Sequence, residues 1–163
     1  MNKQRFKLLF LCTSNSARSI ITEYLVKTFA GDRFDAVSAG ASPKSHPNPL
    51  ALKVLSSHYN IDVSDARSKS WDEFRDVNFD FVITLCDIAP CPVWPGQPII
   101  AHWETPSPSD VEGTEKQKED AVWKVTQQIK RRLELFWSLP FDKLDALRLE
   151  KATKEIGQKE LVD

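Results

Sequence analysis

The stretch from Phe6 to Val26 constrains this chain most, because it reads as strand, tight loop and helix in immediate succession. Phe6-Lys7-Leu8-Leu9-Phe10-Leu11 is an almost unbroken apolar run of strand length, the pattern of a strand buried on both faces. Cys12-Thr13-Ser14-Asn15-Ser16-Ala17-Arg18-Ser19 follows, small residues bracketed by a cysteine and an arginine. Ile20, Ile21, Tyr24, Leu25 and Phe29 then recur at helical spacing, which puts Ser19 in the first turn of an amphipathic helix. A loop folded over a helix N-terminus aims unpaired amide N–H groups at one point, and the helix dipole adds positive potential there. Such a loop takes an anion. Arg18 adds a planar fork suited to two oxygens of a tetrahedral oxyanion, and the same field favours the Cys12 thiolate, the nucleophilic form. The plainer reading is a small buried cysteine at a strand end beside a solvated arginine.

The rest of the chain supplies more strands and helices. Asp35 to Ala39 reads as a second strand stopped by Gly40. Asn48 caps a helix with Pro49 in first position, apolar residues Leu52, Leu55 and Tyr59, and Asn60 as left-handed terminator. Ser70-Trp71-Asp72-Glu73 reads as a capping box opening a short helix. Phe79 to Leu85 is a buried strand that delivers Cys86 to its C-terminal end; a proline-rich loop carrying Cys91 follows, then a fourth strand from Ile99 to Trp103. Glu115 to Trp137 is helical through Val122, Val125, Ile129, Leu133 and Phe136, with Lys130-Arg131-Arg132 read as its solvated face. A last helix starts near Phe141, and its polar tail from Lys151 is expected to fray over about the last ten residues.

Strands separated by helices imply an α/β fold, a four-stranded parallel sheet flanked by helices in three layers, and the 163 residues suit a single domain. Ligands of such sheets bind at the carboxyl ends of strands, so Cys12 and Cys86 can face one crevice. A net charge of −1 points to neither nucleic acid nor an anionic membrane surface. No apolar run reaches membrane-spanning length and no signal peptide can be drawn at Met1–Leu11, so the expected compartment is the cytoplasm. Three cysteines do not make a disulfide framework; an odd number argues for reactive thiols. A zinc site from Cys86, Cys91 and His102 lacks paired spacing and a fourth ligand, so no metal is expected. His46 and His58 read as solvated or half-exposed, and the five tryptophans as packing residues.

The Cys-x5-Arg-Ser loop after an N-terminal strand resembles the phosphate loop of low-molecular-weight tyrosine phosphatases and of the arsenate reductases built on that fold. The reductase branch is the nearer likeness, carried by Phe10-Leu11-Cys12-Thr13, Asn15-Ser16, Arg18-Ser19, Ser38-Ala39-Gly40, Thr84-Leu85-Cys86, Cys91 to Pro98 and Ala101-His102-Trp103. The resemblance implies an oxyanion held by the loop residues Thr13, Ser14, Asn15, Ser16, Ala17 and Arg18. It implies arsenate attacked by Cys12, a thiol–arsenic adduct resolved by Cys86, and Cys91 as a third thiol. Ser19 would hydrogen-bond the Cys12 thiolate. No cofactor would be bound, and reducing equivalents would come from thioredoxin or from glutathione and glutaredoxin as transient partners of a monomer. Asn15, Glu23 and Ser38 match a monovalent-cation site typical of some reductases of this fold. Lys69 stands at its acidic position; its ammonium is expected to replace the cation and brace the loop, the plainer alternative being a solvated lysine between Ser68 and Ser70.

Four positions depart from the pattern. Ser14 replaces a usual glycine, which would strain the loop if that position needs positive φ. Ala17 replaces a cysteine found in many members, and the Cys86–Cys91 segment is shortened. Ser107 stands where the phosphatase chemistry has its general-acid aspartate, with Glu104 and Asp110 as nearby carboxyl groups. Two alternatives therefore remain open. One is a phosphatase acting on phosphate monoesters; the other is a catalytically degenerate oxyanion-binding regulatory module.

Overall fold

The computed structural model describes residues 5–86 and 93–159. Four parallel strands form one sheet: β1 (Phe6–Cys12), β2 (Phe34–Gly40), β3 (Phe81–Thr84) and β4 (Ile99–His102), in the order β2-β1-β3-β4. Helices α1 (Arg18–Ala30), α2 (Pro49–Tyr59), α3 (Glu115–Trp137) and α4 (Ala146–Gln158) complete the architecture, with short 3-10 turns at Trp71–Phe74 and Pro108–Asp110. β1 is central, so Leu8, Leu9, Phe10 and Leu11 are fully buried, as its unbroken apolar run requires. Alternation along β1 splits them between two cores. Leu8 and Phe10 join apolar residues of all four helices. Leu9 and Leu11 pack with Val82, Phe79 and Trp94 on the opposite face, where Trp71 and Phe74 of the first 3-10 turn close the layer.

The strand order reverses direction between β1 and β3, the switch point at which open α/β sheets leave a crevice beyond their strand ends. Leu11 faces Thr84 in register, and the Leu85 amide bonds the Leu11 carbonyl at 2.9 Å. Cys12 and Cys86 therefore leave neighbouring strands at the same level. At the other end of the sheet Phe6, Phe34, Phe81, Phe136 and Phe141 pack ring on ring at centroid distances of 5.0–6.1 Å, giving a stiff base.

Several helix expectations change in detail. α1 is not simply amphipathic: every residue from Ser19 to Val26 is buried, Glu23 included, because the helix lies between the sheet and its helical neighbours. Phe29, expected on its apolar face, is 45% exposed and stacks edge-on against Tyr59. Asn48 caps α2 by accepting from the Leu50 amide, and Asn60 ends it at φ 56°. Ser70 caps its turn, yet Glu73 does not close a capping box; its carboxylate takes Arg67 in two bonds of 2.8 and 3.0 Å. The capping box lies instead at α3, between Thr114 and Gln117. Arg132 is not on the solvated face of α3. It is 6% exposed, and its guanidinium bonds the carbonyls of Glu104 (2.7 Å) and Gly157 (3.3 Å). The polar tail from Lys151 continues as helix to Gln158, burying Thr153 and Ile156. Gly157 permits this docking, since a Cβ there would lie 2.2 Å from the His102 carbonyl oxygen.

Candidate active site

The loop after β1 is shaped from outside. The carbonyls of Cys12, Thr13, Ser14 and Ser16 accept from the amides of Ala41, Ser42, Lys44 and Asn48 at 2.8–3.3 Å, and the Asn15 carbonyl accepts from Ser68 Oγ at 2.7 Å. With its carbonyls turned toward the protein, the loop keeps its amides for the cleft. Among the described residues, none of the amides from Ser14 to Arg18 donates to a carbonyl. Gly40 lets the end of β2 approach this closely, because a Cβ would sit 2.6 Å from the Thr13 carbonyl oxygen and 2.8 Å from the Asn15 nitrogen. Arg18, first residue of α1, spends one Nη1 bond on the Thr105 carbonyl at 2.9 Å and keeps its remaining donors.

The strained position of the loop is not Ser14. Asn15 carries the left-handed φ of 46°, a conformation asparagine tolerates better than most residues, so serine at 14 is unproblematic. Asn15 is fully buried and saturated: Nδ2 donates to Ser19 Oγ (2.8 Å) and Ser38 Oγ (2.9 Å), while Oδ1 accepts from the Lys69 amide (2.8 Å). Ser38 Oγ in turn donates to Glu23 Oε1 at 2.5 Å. The same carboxylate meets Lys69 Nζ at 3.3 Å and, through Oε2, Lys27 Nζ at 2.6 Å. Lys69 Nζ also donates to the Arg67 carbonyl at 3.0 Å. The four residues singled out beneath the loop thus form one connected network. Burial is the main influence on Lys69 and lowers its pKa, with the Glu23 charge opposing. Lys27 was not foreseen as the second cation.

Cys12 and Cys86 are both free, buried thiols that face each other across the switch point. Thr13 Oγ1 lies 3.3 Å from Cys86 Sγ. Interaction between the two sulfurs drives the two titrations apart. It pushes Cys86 down to about 5, against burial and with help from Thr13 and Arg18. It pushes Cys12 up, together with burial and against the Arg18 charge. At neutral pH the pair holds one proton between two sulfurs and so carries one negative charge beside Arg18. Ser19 Oγ accepts from Asn15 Nδ2, while Cys91 lies outside the described residues.

A cleft of about 210 Å³ opens over Cys12, lined also by Ser14, Ala17, Arg18, Lys44, Ser107, Ser109 and Asp110. Lys44 and Ser109 escaped the sequence reading because nothing local marks them; Lys44 is brought in by its amide bond to the Ser14 carbonyl. Of the two carboxyl groups near Ser107, Asp110 faces the cleft, whereas Glu104 lines a separate depression with His102 and Lys154. Among the described residues no group of three or more His, Cys, Asp or Glu gathers to hold a metal. His102 Nδ1 is engaged with Thr84 Oγ1 at 2.6 Å.

A family model described as low molecular weight phosphotyrosine protein phosphatase matches residues 7–92, which include the loop, the network beneath it and Cys86. The chain belongs to that family. Within the family, the arsenate reductase of Halalkalibacterium halodurans is 35% identical over 138 residues, 83% of this chain and 96% of its own length. That of Bacillus subtilis is 35% identical over 131 residues, 79% of this chain and 93% of its own. Among solved structures, an arsenate reductase in the phosphate binding state superposes with a TM-score of 0.65 at 28% identity, covering 79% of this chain and 94% of that one. A thioredoxin-dependent arsenate reductase from Corynebacterium glutamicum superposes at 0.64 with 28% identity, covering 85% of this chain and 63% of that one.

Proposed function

We propose that this family member reduces arsenate to arsenite, using Cys12 as nucleophile and Cys86 as resolving thiol. The observation that carries the reading is the meeting of two free thiols at an oxyanion loop: Cys12 and Cys86 leave β1 and β3 in register, and Thr13 Oγ1 lies 3.3 Å from Cys86 Sγ. Phosphate-ester hydrolysis needs one thiol; a two-electron reduction needs a second within reach. Loop amides from Thr13 to Arg18 and the Arg18 guanidinium bind the oxyanion, neutralising three of its oxygens. As Cys12 attacks, the one proton that the thiol pair shares is left on Cys86. The Cys12 Sγ–arsenic bond forms, one arsenic–oxygen bond breaks, and the departing hydroxyl takes that proton from Cys86 to leave as water. Arsenic is still pentavalent. The Cys86 thiolate then attacks Cys12 Sγ, the sulfur–arsenic bond breaks with its electron pair on arsenic, and arsenite leaves behind a Cys12–Cys86 disulfide. Because the thiol pair moves the proton, the cycle does not require an acid at Ser107.

Cys91 is read as the third thiol, passing oxidation outward to thioredoxin, the donor named for the Corynebacterium relative, or to glutathione and glutaredoxin. Asn15, Glu23, Ser38 and Lys69 support the loop, with the Lys69 ammonium standing where a monovalent cation would otherwise balance Glu23. Steady-state arsenate reduction with each donor system, alongside aryl-phosphate hydrolysis, tests the reading. Cys12→Ser should abolish both activities. Cys86→Ser should retain phosphate binding and lose multiple-turnover reduction. Full reduction by Cys86→Ser with both donors would overturn the mechanism and leave phosphomonoester hydrolysis as the better account.

A further inference from the structure

We propose that Asp110 makes the cleft selective for tetrahedral oxyanions that carry a proton, so that hydrogen arsenate and hydrogen phosphate bind and sulfate is refused. The inference rests on the oxyanion reading of the cleft and adds what decides between ions of the same shape. Apart from the thiol pair, the other charged side chains on the cleft wall, Arg18 and Lys44, are cations that any tetrahedral anion satisfies equally. Asp110 is the one carboxylate on that wall, and among the described residues it makes no hydrogen bond or ion pair. A carboxylate can only accept, and so can the oxygens of a fully ionised oxyanion. Placed together they repel, unless a proton lies between them. An oxyanion with one hydroxyl supplies that proton and turns the contact into a charge-assisted hydrogen bond.

Asp110 is held for this task. Pro108, at the start of the same turn, is buried, and Ser109 Oγ receives a bond from Asn48 Nδ2 at 3.2 Å, which ties the turn to the start of α2. Upstream, Thr105 is 3% exposed and its carbonyl takes Arg18 Nη1 at 2.9 Å, while Arg132 Nη1 clamps the Glu104 carbonyl at 2.7 Å. The side chain of Arg18 therefore fixes the turn that carries the carboxylate as well as facing the anion. Three oxygens of a bound ion face the loop amides and Arg18; the fourth faces the mouth, where Asp110, Ser107, Ser109 and Lys44 stand.

The test is direct binding at neutral pH of inorganic phosphate and of sulfate to the reduced full-length protein, followed by calorimetry and by thermal shift. Wild type should prefer phosphate by about 10-fold, the scale of one charge-assisted hydrogen bond in a cleft open to water. Asp110→Asn, whose amide can donate, should bring the two ions within about threefold by gaining sulfate affinity. Asp110 is exposed, so the variant should melt with wild type and report the cleft alone. Equal phosphate and sulfate affinity in wild type, or an unchanged ratio in Asp110→Asn, overturns the role of Asp110 while leaving the oxyanion site standing. Binding of neither ion overturns both.

Discussion

Replacing Lys69 with methionine isolates the network beneath the loop. Methionine keeps the length of the buried stem and the backbone amide that bonds Asn15 Oδ1, and deletes only the ammonium. Glu23, 4% exposed, then loses its contact at 3.3 Å and keeps Ser38 and the half-exposed Lys27. Breaking a fully buried pair costs ~3–5 kcal/mol, and the surviving Lys27 partner brings the expected loss down to ~2–3 kcal/mol. For a chain of this size that is a fall in Tm of roughly 4–12 °C. The double variant Lys69→Met/Glu23→Gln removes both charges and should recover most of the loss. Melting is followed in sodium and in potassium at equal ionic strength. Wild type should be indifferent to the choice, whereas Lys69→Met should regain stability in potassium if a cation can refill the vacated position. A potassium-dependent rise in the wild-type Tm, or a single variant as stable as wild type, would refute the reasoning.

Thiolate absorbance of the wild type should show close to one charged sulfur shared by Cys12 and Cys86 at neutral pH, with a midpoint near 5, and Cys86→Ser should move that midpoint upward. The sign for stability follows: a thiol lowered on folding adds stability above its unfolded pKa, which is lost as pH falls from about 9 through about 5, and Cys86→Ser should flatten that part of the pH–stability curve. Gly157→Ala should lower stability by ~1–3 kcal/mol in urea unfolding, because the new methyl meets the His102 carbonyl and the Trp103 ring. Ser14→Gly should change Tm little, whereas Asn15→Ala should cost ~2–4 kcal/mol through a buried, left-handed and fully bonded side chain. Ser107→Asp should raise aryl-phosphate hydrolysis more than arsenate reduction, since a poor leaving group depends on an acid.

The sheet and its loop were legible because β1 and β3 are buried on both faces and announce themselves as apolar runs, and because Cys12, Arg18 and Ser19 bracket a strand–helix junction. α3 was legible from Glu115 to Trp137 for the same reason: one face of five apolar residues meets the core. What sequence hid is what only tertiary contact creates. Arg132 sits in a run of three basic residues, and nothing in that run says which one will turn inward to bind three carbonyls. The tail from Lys151 is polar by composition, yet Leu149, Thr153 and Ile156 align on the face that β4 covers. Lys44 and Asp110 belong to separate loops and became cleft residues only through bonds to Ser14 and α2. Ser14 was suspected of strain that belongs one residue later, because the left-handed turn falls where a side chain can bond Ser19 and Ser38.

The outward-turned carbonyls of the loop have a consequence for how this protein acquires its shape. A peptide covering β1, the loop and α1 could not hold the cradle, since every carbonyl from Cys12 to Ser16 except that of Asn15 is matched by the segment 41–48, and that of Asn15 by Ser68. Those contacts close only after β2 has paired with β1, so they are long-range and late by the usual logic of loop closure. The binding-competent loop and the folded domain are then one cooperative unit. An oxyanion at a hundred times its Kd should stabilise the whole molecule by ~2.7 kcal/mol. Amides far from the cleft, in β1 and the phenylalanine-lined base, should exchange with solvent correspondingly more slowly, so that occupancy of the site can be read from the opposite end of the sheet.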